Sequence, residues 1–279
     1  MTSRVGDIGL GTTYERFALN AWLAHLLDNY PFLSVLEGPG DGMTGIPGLN
    51  SLIFGRRGLD VAIVLADEEA VHLARRGWRS QECLKYARFL RAADGRIPVT
   101  AEQFDLVWNF NRLPFSAPQE LIAEMVRTSR RYVLLCAPNR YSYGFLARRL
   151  HHRLTGKPWS YGNIDVMNVK TVVNLLSEFD MQILETTWLD APWWPDIIDI
   201  SEFVTDLAPF LSGVLKKRGA STYFWNPEHL PYFDAVAYPE VHERIHNLFF
   251  IERSGADWLK PVFAHHFGVF AVKRGKSDV

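Results

Sequence analysis

Short apolar segments alternate with helix-like segments along most of this chain, and this alternation constrains its fold more than any other feature of the sequence. Residues 32–36, 59–65, 104–108, 132–137 and 181–187 are short and apolar, which favours buried strands, and helical spacing of apolar side chains occurs between them. Strands and helices that alternate at such intervals are typical of a parallel sheet covered by helices on both faces. We therefore predict an α/β fold with a doubly wound, Rossmann-like and mostly parallel sheet.

A different composition follows the fifth predicted strand, where tryptophan, tyrosine, phenylalanine and proline become frequent. Residues 188–260 are therefore predicted to form a helical, aromatic-rich insertion, with helices at 200–217 and 239–250. Residues 262–272 are apolar again and are predicted to form the last strand of the sheet. On this interpretation residues 1–187 and 261–279 form the α/β domain, and the insertion caps one edge of the sheet.

The charge balance of the chain bears on its partners. The 279 residues include 30 Lys and Arg and 31 Asp and Glu, which gives a formal net charge of −1. Neither nucleic acid nor an anionic membrane surface is therefore favoured as the main partner. A local basic cluster is interpreted as the solvated face of one helix, and its residues are Arg148, Arg149, Arg153 and Lys157. His151 and His152 lie in the same predicted helix and are expected at the surface.

The chain lacks sequence features of secretion and of metal binding. Its first residues lack the apolar core of a signal peptide, and no apolar stretch approaches the length that spans a bilayer. The two cysteines, Cys83 and Cys136, provide neither a disulfide framework nor metal-ligand spacing, and Cys136 is interpreted as a buried thiol. We expect a cytoplasmic protein with no integral membrane segment and no metal site.

A glycine-rich turn follows the first predicted strand, in the sequence Glu37-Gly-Pro-Gly-Asp-Gly42. Glycines allow the backbone to approach a ligand, and the N-terminus of a helix that follows such a turn offers unpaired N–H groups. The same pattern also fits a structural turn without a ligand. Its position at the end of the first strand favours a ligand, because open parallel sheets bind ligands at the carboxyl ends of their strands.

This turn and four further segments resemble the class I S-adenosylmethionine-dependent methyltransferases, particularly the group that acts on quinones and other small molecules. The five segments occur in the order that the family shows: 35–42, 59–67, 93–98, 104–109 and 132–139. The resemblance runs from about Tyr14 to Thr187 and resumes at the last strand. It implies an S-adenosyl-L-methionine-dependent methyltransferase with the fold of that family.

The resemblance also implies a cofactor site, and the residues that match the family's site are Glu37, Gly38, Gly40, Gly42, Asp67, Asp94, Gly95 and Asn109. The glycine turn would face the methionine part of S-adenosyl-L-methionine. Asp67 would bind the ribose hydroxyls and Asp94 the amino group of adenine, with the backbone of Gly95 beside it. Asn109 lies in the turn that would face the transferred methyl group.

Two departures from the family's pattern leave a second interpretation open. Family members place an acid two residues before the first glycine of the turn, but Glu37 directly precedes Gly38. The second strand ends in Leu65 where the family has its ribose-binding acid, and Asp67, two residues later, also fits a helix N-cap. The alternative function is therefore a catalytically inactive, methyltransferase-like module for binding or assembly.

Three residues are candidates for catalysis, since methyl transfer to oxygen or carbon benefits from a base and from groups that align the acceptor. Asn109 follows the fourth strand and equally fits a turn-stabilising role. Tyr143 follows the fifth strand, where substrate contacts are expected, and also fits simple packing. His265 fits either a base or a satisfied structural histidine, and His265 and His266 are expected to face opposite sides of the last strand.

The aromatic insertion bears on the identity of the acceptor. Tryptophan and tyrosine side chains near a pocket suit an apolar or aromatic small molecule. The same residues could instead form the insertion's own core, a homodimer interface or, with less support, a contact with a membrane surface. We predict a methyl acceptor that is small or lipophilic. A nicotinamide dehydrogenase is disfavoured, because the turn lacks the glycine spacing of that family.

Overall fold

The computed structural model describes residues 6–40, 45–91, 96–194, 223–254 and 256–275. The strands are β1 (Asp7–Ile8), β2 (Ser34–Glu37), β3 (Asp60–Leu65), β4 (Ala87–Arg91), β5 (Phe104–Phe110), β6 (Ser129–Pro138), β7 (Met181–Leu189), β8 (Phe224–Trp225) and β9 (His266–Lys273). The helices are α1 (Gly9–Asn29), α2 (Leu52–Arg56), α3 (Glu68–Ser80), α4 (Pro118–Thr128), α5 (Tyr143–Thr155), α6 (Val169–Glu178), α7 (Pro239–Leu248), α8 (Phe250–Arg253) and α9 (Lys260–Phe263). The helix predicted at 200–217 lies outside the described residues. Within these ranges, no helix is both long and apolar enough to cross a membrane.

Seven of the described strands form one sheet, in the order β4-β3-β2-β5-β6-β9-β7. The strands from β4 to β6 pair in parallel, whereas β9 pairs antiparallel with both β6 and β7. From β2 the chain first adds strands on one side and then returns to add β5 and β6 on the other. The strand order therefore reverses between β2 and β5, which is where doubly wound sheets bind ligands. The predicted α/β fold with a mostly parallel sheet is confirmed.

Side chains that alternate along β2 enter two different cores. Val35 packs in the core beneath α1, α2 and α3, whereas Leu36 packs in the core beneath α4 and α6. Successive side chains of a strand point to opposite faces, and both faces of this sheet are covered. This double burial explains why the central strands are apolar at nearly every position rather than at every second one.

Capping residues in the sequence account for the starts of two helices that flank the sheet. The carboxylate of Asp67 accepts a hydrogen bond from the N–H of Ala70 at 2.8 Å, which confirms the predicted N-cap of α3. The hydroxyl of Ser142 accepts from the N–H of Phe145 at 3.2 Å and begins α5. Gly156 ends α5 in the left-handed region, with φ of 69°, where glycine has no steric cost.

Two elements differ from the prediction. The predicted last strand at 262–272 is instead a short helix, α9, followed by β9. Pro261 lies in the first turn of α9, a position that suits the start of a helix. β4 was not predicted, because it is an edge strand whose side chains are partly exposed and include Arg88 and Arg91. It therefore lacks the apolar run of a buried strand.

The described part of the predicted insertion packs against the N-terminal segment and α1. β8 pairs antiparallel with β1, with Trp225 opposite Asp7. The ring of Phe17 on α1 meets that of Tyr232 edge to face, with centroids 5.7 Å apart. Some of the aromatic side chains of residues 188–260 thus contact α1, while the division into a domain and a separate insertion stays a prediction.

Replacing Gly268 with alanine tests how closely α1 approaches the sheet. An ideal Cβ on this residue of β9 would lie 2.2 Å from the ring of Trp22 on α1. Overpacking of this kind costs roughly 1–3 kcal/mol, so we expect Gly268→Ala to lower the free energy of unfolding by that amount in urea denaturation. The same change in a Trp22→Leu background should cost much less. Equal costs in the two backgrounds would show that the ring does not set the spacing.

Candidate functional site

A buried ion pair joins the N-terminal segment to the residues around the glycine turn. Arg16 of α1 donates to both carboxylate oxygens of Asp7, at 2.5 and 3.0 Å, and both side chains are almost wholly buried. Asp7 also accepts from the hydroxyl of Tyr232 at 2.5 Å and from the N–H of Ile46 at 3.1 Å. Burial alone would lower the pKa of Arg16, but Asp7 raises it above its ordinary value, so the guanidinium stays charged.

A series of side-chain hydrogen bonds continues from this ion pair to the end of β2. Arg16 donates to the side-chain oxygen of Asn50, and the Asn50 amide donates to Glu37 Oε1 at 3.4 Å. Glu37 Oε2 accepts from the hydroxyl of Ser51 at 2.6 Å, and that hydroxyl accepts from the indole N–H of Trp108 at 2.9 Å. Glu37 is fully buried. Its position before the turn therefore ties β2 to β5 and to the residues that precede α2.

The glycine turn is held by backbone hydrogen bonds to neighbouring strands. The N–H of Gly38 donates to the carbonyl of Trp108 at 3.0 Å, and the N–H of Gly40 donates to the carbonyl of Val64 at 2.7 Å. An ideal Cβ on Gly40 would lie 2.6 Å from Ile63, so a side chain there would prevent the turn from lying on β3. A ligand at this turn would have to use atoms other than these two amides.

Asn109, near the end of β5, fixes the turn from the other side. Its amide donates to the carbonyl of Pro39 at 2.8 Å, and its side-chain oxygen accepts from the N–H of Arg112 at 3.1 Å. The residue is fully buried. These contacts agree with a turn-stabilising role, and the roles of Asn109 toward a cofactor or in catalysis stay predictions.

The other predicted cofactor residues are less closely grouped. Asp67 is exposed at the start of α3, where its carboxylate caps the helix, while Leu65 is buried at the end of β3. Gly42, Asp94 and Gly95 lie outside the described residues. The structure therefore brings Glu37, Gly38, Gly40 and Asn109 together, and it places Asp67 at the same edge of the sheet.

A first cavity, of about 320 Å³, lies beyond the carboxyl ends of β3 and β5, and we call it the β3 cavity. Its apolar wall is formed by Pro39, Val64, Leu65, Ile97, Phe115 and Leu121. Charged side chains, among them Arg112 and Glu120, also line it. Because its lining includes residues that follow both β2 and β5, the cavity lies where the strand order reverses.

A second cavity, of about 370 Å³, lies beyond the carboxyl ends of β6 and β7, between α1 and α5, and we call it the β9 cavity. Its polar and charged residues are Thr12, Glu15, Asn111, Asn139, Arg148, Asp190, His265 and His266. Phe115 lines this cavity as well as the β3 cavity. The two cavities are therefore neighbours that share one aromatic side chain.

Two histidines and an aspartate form the most polar part of the β9 cavity. The ring atom His265 Nδ1 lies 3.0 Å from Asp190 Oδ2, and the backbone N–H of His265 donates to the backbone carbonyl of Asp190 at 2.8 Å. His266 Nδ1 lies 3.5 Å from the same carboxylate and 3.6 Å from Glu15. Burial alone would raise the pKa of Asp190, but the two histidines hold it below its ordinary value, so the carboxylate stays ionised.

The structure corrects the expectation that His265 and His266 face opposite sides of the last strand. β9 begins at His266, so His265 lies before the strand, where strand alternation does not apply. Both side chains line the same cavity. His151 was expected at the surface but is buried in α5. Arg148 of the basic cluster also lines the β9 cavity, with its guanidinium 4.3 Å from the centroid of the Tyr161 ring.

Sequence reasoning missed Asp190, which positions His265. Asp190 follows β7, and its backbone has φ of 58°, a left-handed conformation that Asp and Asn tolerate better than most residues. Asn139 donates to the carbonyls of Pro261, at 2.7 Å, and Ala264, at 2.8 Å. Asp190 directly follows β7 but lies three residues beyond the predicted strand at 181–187, so its position at a strand end was not evident from the sequence.

Two further residues lie beside the β9 cavity: Tyr143, which was predicted to be catalytic, and Glu252. Tyr143, at the start of α5, packs edge to face on Phe263 at 5.4 Å and is not among the residues that line the cavity. Glu252 of α8 accepts from the N–H of Ala191 at 2.7 Å and from the hydroxyl of Tyr14. Burial raises the pKa of Glu252 above its ordinary value. The catalytic role predicted for Tyr143 stays a prediction.

Comparison with known proteins identifies the fold. No family model and no curated protein matches the sequence. The crystal structure of the [4+2]-cyclase SpnF matches 92% of this chain and 80% of its own, with a TM-score of 0.53 and 14% identity. A putative sarcosine dimethylglycine methyltransferase from Galdieria sulphuraria matches over 94% and 86% of the two chains, with a TM-score of 0.51 and 11% identity. The chain therefore has the class I methyltransferase fold that its sequence segments resemble.

The two structural neighbours carry the names of different activities, a cyclase and a methyltransferase. At these identities the likeness shows the fold alone, and one fold can support several chemistries. The function of this chain must therefore be argued from its own cavities and side chains.

The dependence of stability on pH tests the charge state of Asp190. Because its folded-state pKa lies below the ordinary value of 3.8, the ionised carboxylate stabilises the fold above that pH, and this contribution is lost as the pH falls. We expect Asp190→Asn to be destabilising at neutral pH, with a difference from wild type that shrinks as the pH falls below 3.8. Urea unfolding at several pH values measures this difference. Asp257→Asn, which removes an exposed carboxylate, controls for net charge, and a difference that stayed constant with pH would contradict the assignment.

Removing one partner of the buried ion pair tests how much the site depends on it. Arg16→Met leaves the Asp7 carboxylate buried without its counter-charge, a change that typically costs 3–5 kcal/mol, so we expect roughly that loss of unfolding free energy. Arg57→Met is the matched control, because Arg57 pairs with Asp28 at the surface, where both side chains are at least half exposed. Similar losses of unfolding free energy in the two variants, measured by denaturation, would show that the buried pair contributes no more to stability than the surface pair.

Proposed function

We propose that this chain is an S-adenosyl-L-methionine-dependent methyltransferase that acts on a small, lipophilic or aromatic acceptor. The observation that carries the proposal is the adjacency of the two cavities at the carboxyl edge of the parallel strands. In doubly wound sheets this edge binds ligands, particularly where the strand order reverses. One cavity suits the cofactor and its neighbour suits the acceptor, with Phe115 between them.

The β3 cavity fits the adenosine part of the cofactor. Leu65, Ile97 and Phe115 provide apolar walls for a planar base, and Glu120 provides a carboxylate that can accept hydrogen bonds. Asp67, Asp94 and Gly95 remain the predicted contacts to ribose and adenine. They are close in sequence to Ala66 and Arg96, which line this cavity. When bound, S-adenosyl-L-methionine would supply an electrophilic methyl group on a sulfonium sulfur.

The side chains of the β9 cavity fit a role in preparing the acceptor. His265 is held by Asp190, an arrangement that orients an imidazole and stabilises its protonated form. We assign to His265 the removal of a proton from an acceptor hydroxyl or acidic carbon, with Asp190 as its positioning residue. His266 and Glu15 lie close enough to influence the charge of the pair. An acceptor that is already nucleophilic would need only alignment.

The aromatic lining of the β9 cavity supports an apolar acceptor. Phe145, Trp159 and Tyr161 line the cavity, and the rings of Phe145 and Trp159 pack 5.3 Å apart. Such walls favour a ring or an alkyl chain on the part of the acceptor that contacts them. We place the protein in the cytoplasm, as the sequence predicts, and a homodimer stays a prediction.

The alternative function, a catalytically inactive binding module, rests on specific departures of this chain. Leu65 replaces the usual acid at the end of β3, and the amides of Gly38 and Gly40 are used within the sheet. These departures affect the residues expected to contact the ribose and the methionine part of S-adenosyl-L-methionine. Cofactor binding is therefore the measurement that separates the two functions.

Calorimetric titration with S-adenosyl-L-methionine and S-adenosylhomocysteine tests the proposal. We expect binding with a dissociation constant on the order of micromolar. Ala66→Trp, which places an indole in the β3 cavity, and Asp94→Ala should each weaken binding by about tenfold or more. Ala235→Trp is the matched control, since Ala235 is exposed and lines neither cavity. Absence of binding to wild-type protein that shows a cooperative thermal transition would overturn the methyltransferase proposal.

A further inference from the structure

The exposed face of α5 carries leucines where polar residues are expected. Leu146, Leu150 and Leu154 recur at every fourth position and so form one stripe along the helix. Their exposed fractions are 57, 54 and 61%. Gly144 and His151 of the same helix are buried against the protein. The leucine stripe therefore points away from the core, into solvent.

Basic side chains accompany the leucine stripe. Arg149 and Arg153 are exposed on α5, and Lys157 is exposed just beyond its end. No Asp or Glu occurs between Glu124 and Asp165. The segment of sequence that contains α5 therefore carries a net positive charge, although the whole chain is nearly neutral.

Exposed apolar side chains continue on the neighbouring helix. α9 lies against α5, and its Val262 is 42% exposed. Trp258, shortly before α9, is 75% exposed. Leucine and tryptophan beside arginine and lysine are the composition of helices that lie in the headgroup region of a bilayer. Isolated exposed apolar residues are ordinary on protein surfaces, but a contiguous group such as the three leucines of α5 marks an interaction site.

We infer that α5, with the adjoining residues of α9, docks this protein onto an anionic lipid bilayer. Leu146, Leu150 and Leu154 would enter the boundary between headgroups and acyl chains, and Arg149 and Arg153 would contact lipid phosphates. A nucleic acid would use the arginines but has no place for three solvent-facing leucines. A purely apolar protein partner would use the leucines but not the charge. The combination favours an anionic membrane surface.

The position of α5 connects this surface with the β9 cavity. Phe145 and Arg148, on the other side of the same helix, line that cavity. A lipophilic acceptor could then pass from the bilayer to the cavity along one helix. This connection rests on the proposed function, whereas the docking of α5 itself does not depend on methyl transfer.

Sedimentation of the full chain with lipid vesicles tests the inference. Vesicles of phosphatidylcholine mixed with phosphatidylglycerol are compared with vesicles of phosphatidylcholine alone, at low and high salt. We expect binding to the anionic vesicles that falls as salt rises. The variant L146Q/L150Q/L154Q, which retains good helix formers, should lower the partition coefficient by about tenfold or more. Arg149→Gln with Arg153→Gln should lower it mainly at low salt.

Two controls keep the result specific to α5. The variant Leu33→Gln with Val236→Gln removes exposed apolar side chains elsewhere, since these residues are 79 and 93% exposed, and should bind vesicles like wild type. Circular dichroism and a cooperative thermal transition establish that each variant is folded, independently of vesicle binding and of the proposed function. Wild-type protein that does not bind anionic vesicles would overturn the inference. So would leucine variants that bind equally well, or sedimentation equilibrium showing that the stripe holds a dimer.

Discussion

The placement of the glycine turn depends on the buried ion pair between Asp7 and Arg16. Two charges removed from water stabilise a fold only when both are fully hydrogen-bonded, because each loses several kcal/mol of hydration. Here the partners come from distant parts of the chain, including the hydroxyl of Tyr232 and the N–H of Ile46. The fit is tight, since an ideal Cβ on Gly45 would lie 1.9 Å from the Asp7 carboxylate. The N-terminal segment, the residues after the turn and the described part of 188–260 are therefore held in one arrangement.

The polar group in the β9 cavity follows from the pairing of the last two strands of the sheet. β7 and β9 run antiparallel, with Leu189 opposite His266, so the residue after β7 meets the residue before β9. Asp190 and His265 are thus neighbours although they lie far apart in sequence. β9 is also paired with β6, which brings Asn139 to the same place. Antiparallel insertion of one strand into an otherwise parallel sheet is what concentrates polar side chains at this edge.

Features that depend on the local sequence pattern could be predicted, whereas features that depend on how the strands pair could not. Apolar periodicity predicted the central strands and most flanking helices, and the capping role of Asp67 was evident from its position before two acidic residues. The edge strand β4 was missed because its exposed face dilutes the apolar pattern. The partnership of Asp190 with His265 could not be predicted, since it requires the strand order. The basic cluster of α5 was evident in the sequence, whereas the exposure of the leucines beside it emerges only when burial assigns each side chain to a face.

Phe115 is the side chain that lines both cavities, and it is half exposed. A ring in this position can take only one rotamer at a time, so the molecule that fixes the ring in one cavity also determines the shape of the other. Free-energy linkage then requires the effect to be mutual: occupancy of either cavity changes the affinity of its neighbour by the same factor. This one aromatic side chain would thus make the binding of two ligands cooperative, without any motion of the sheet that carries them.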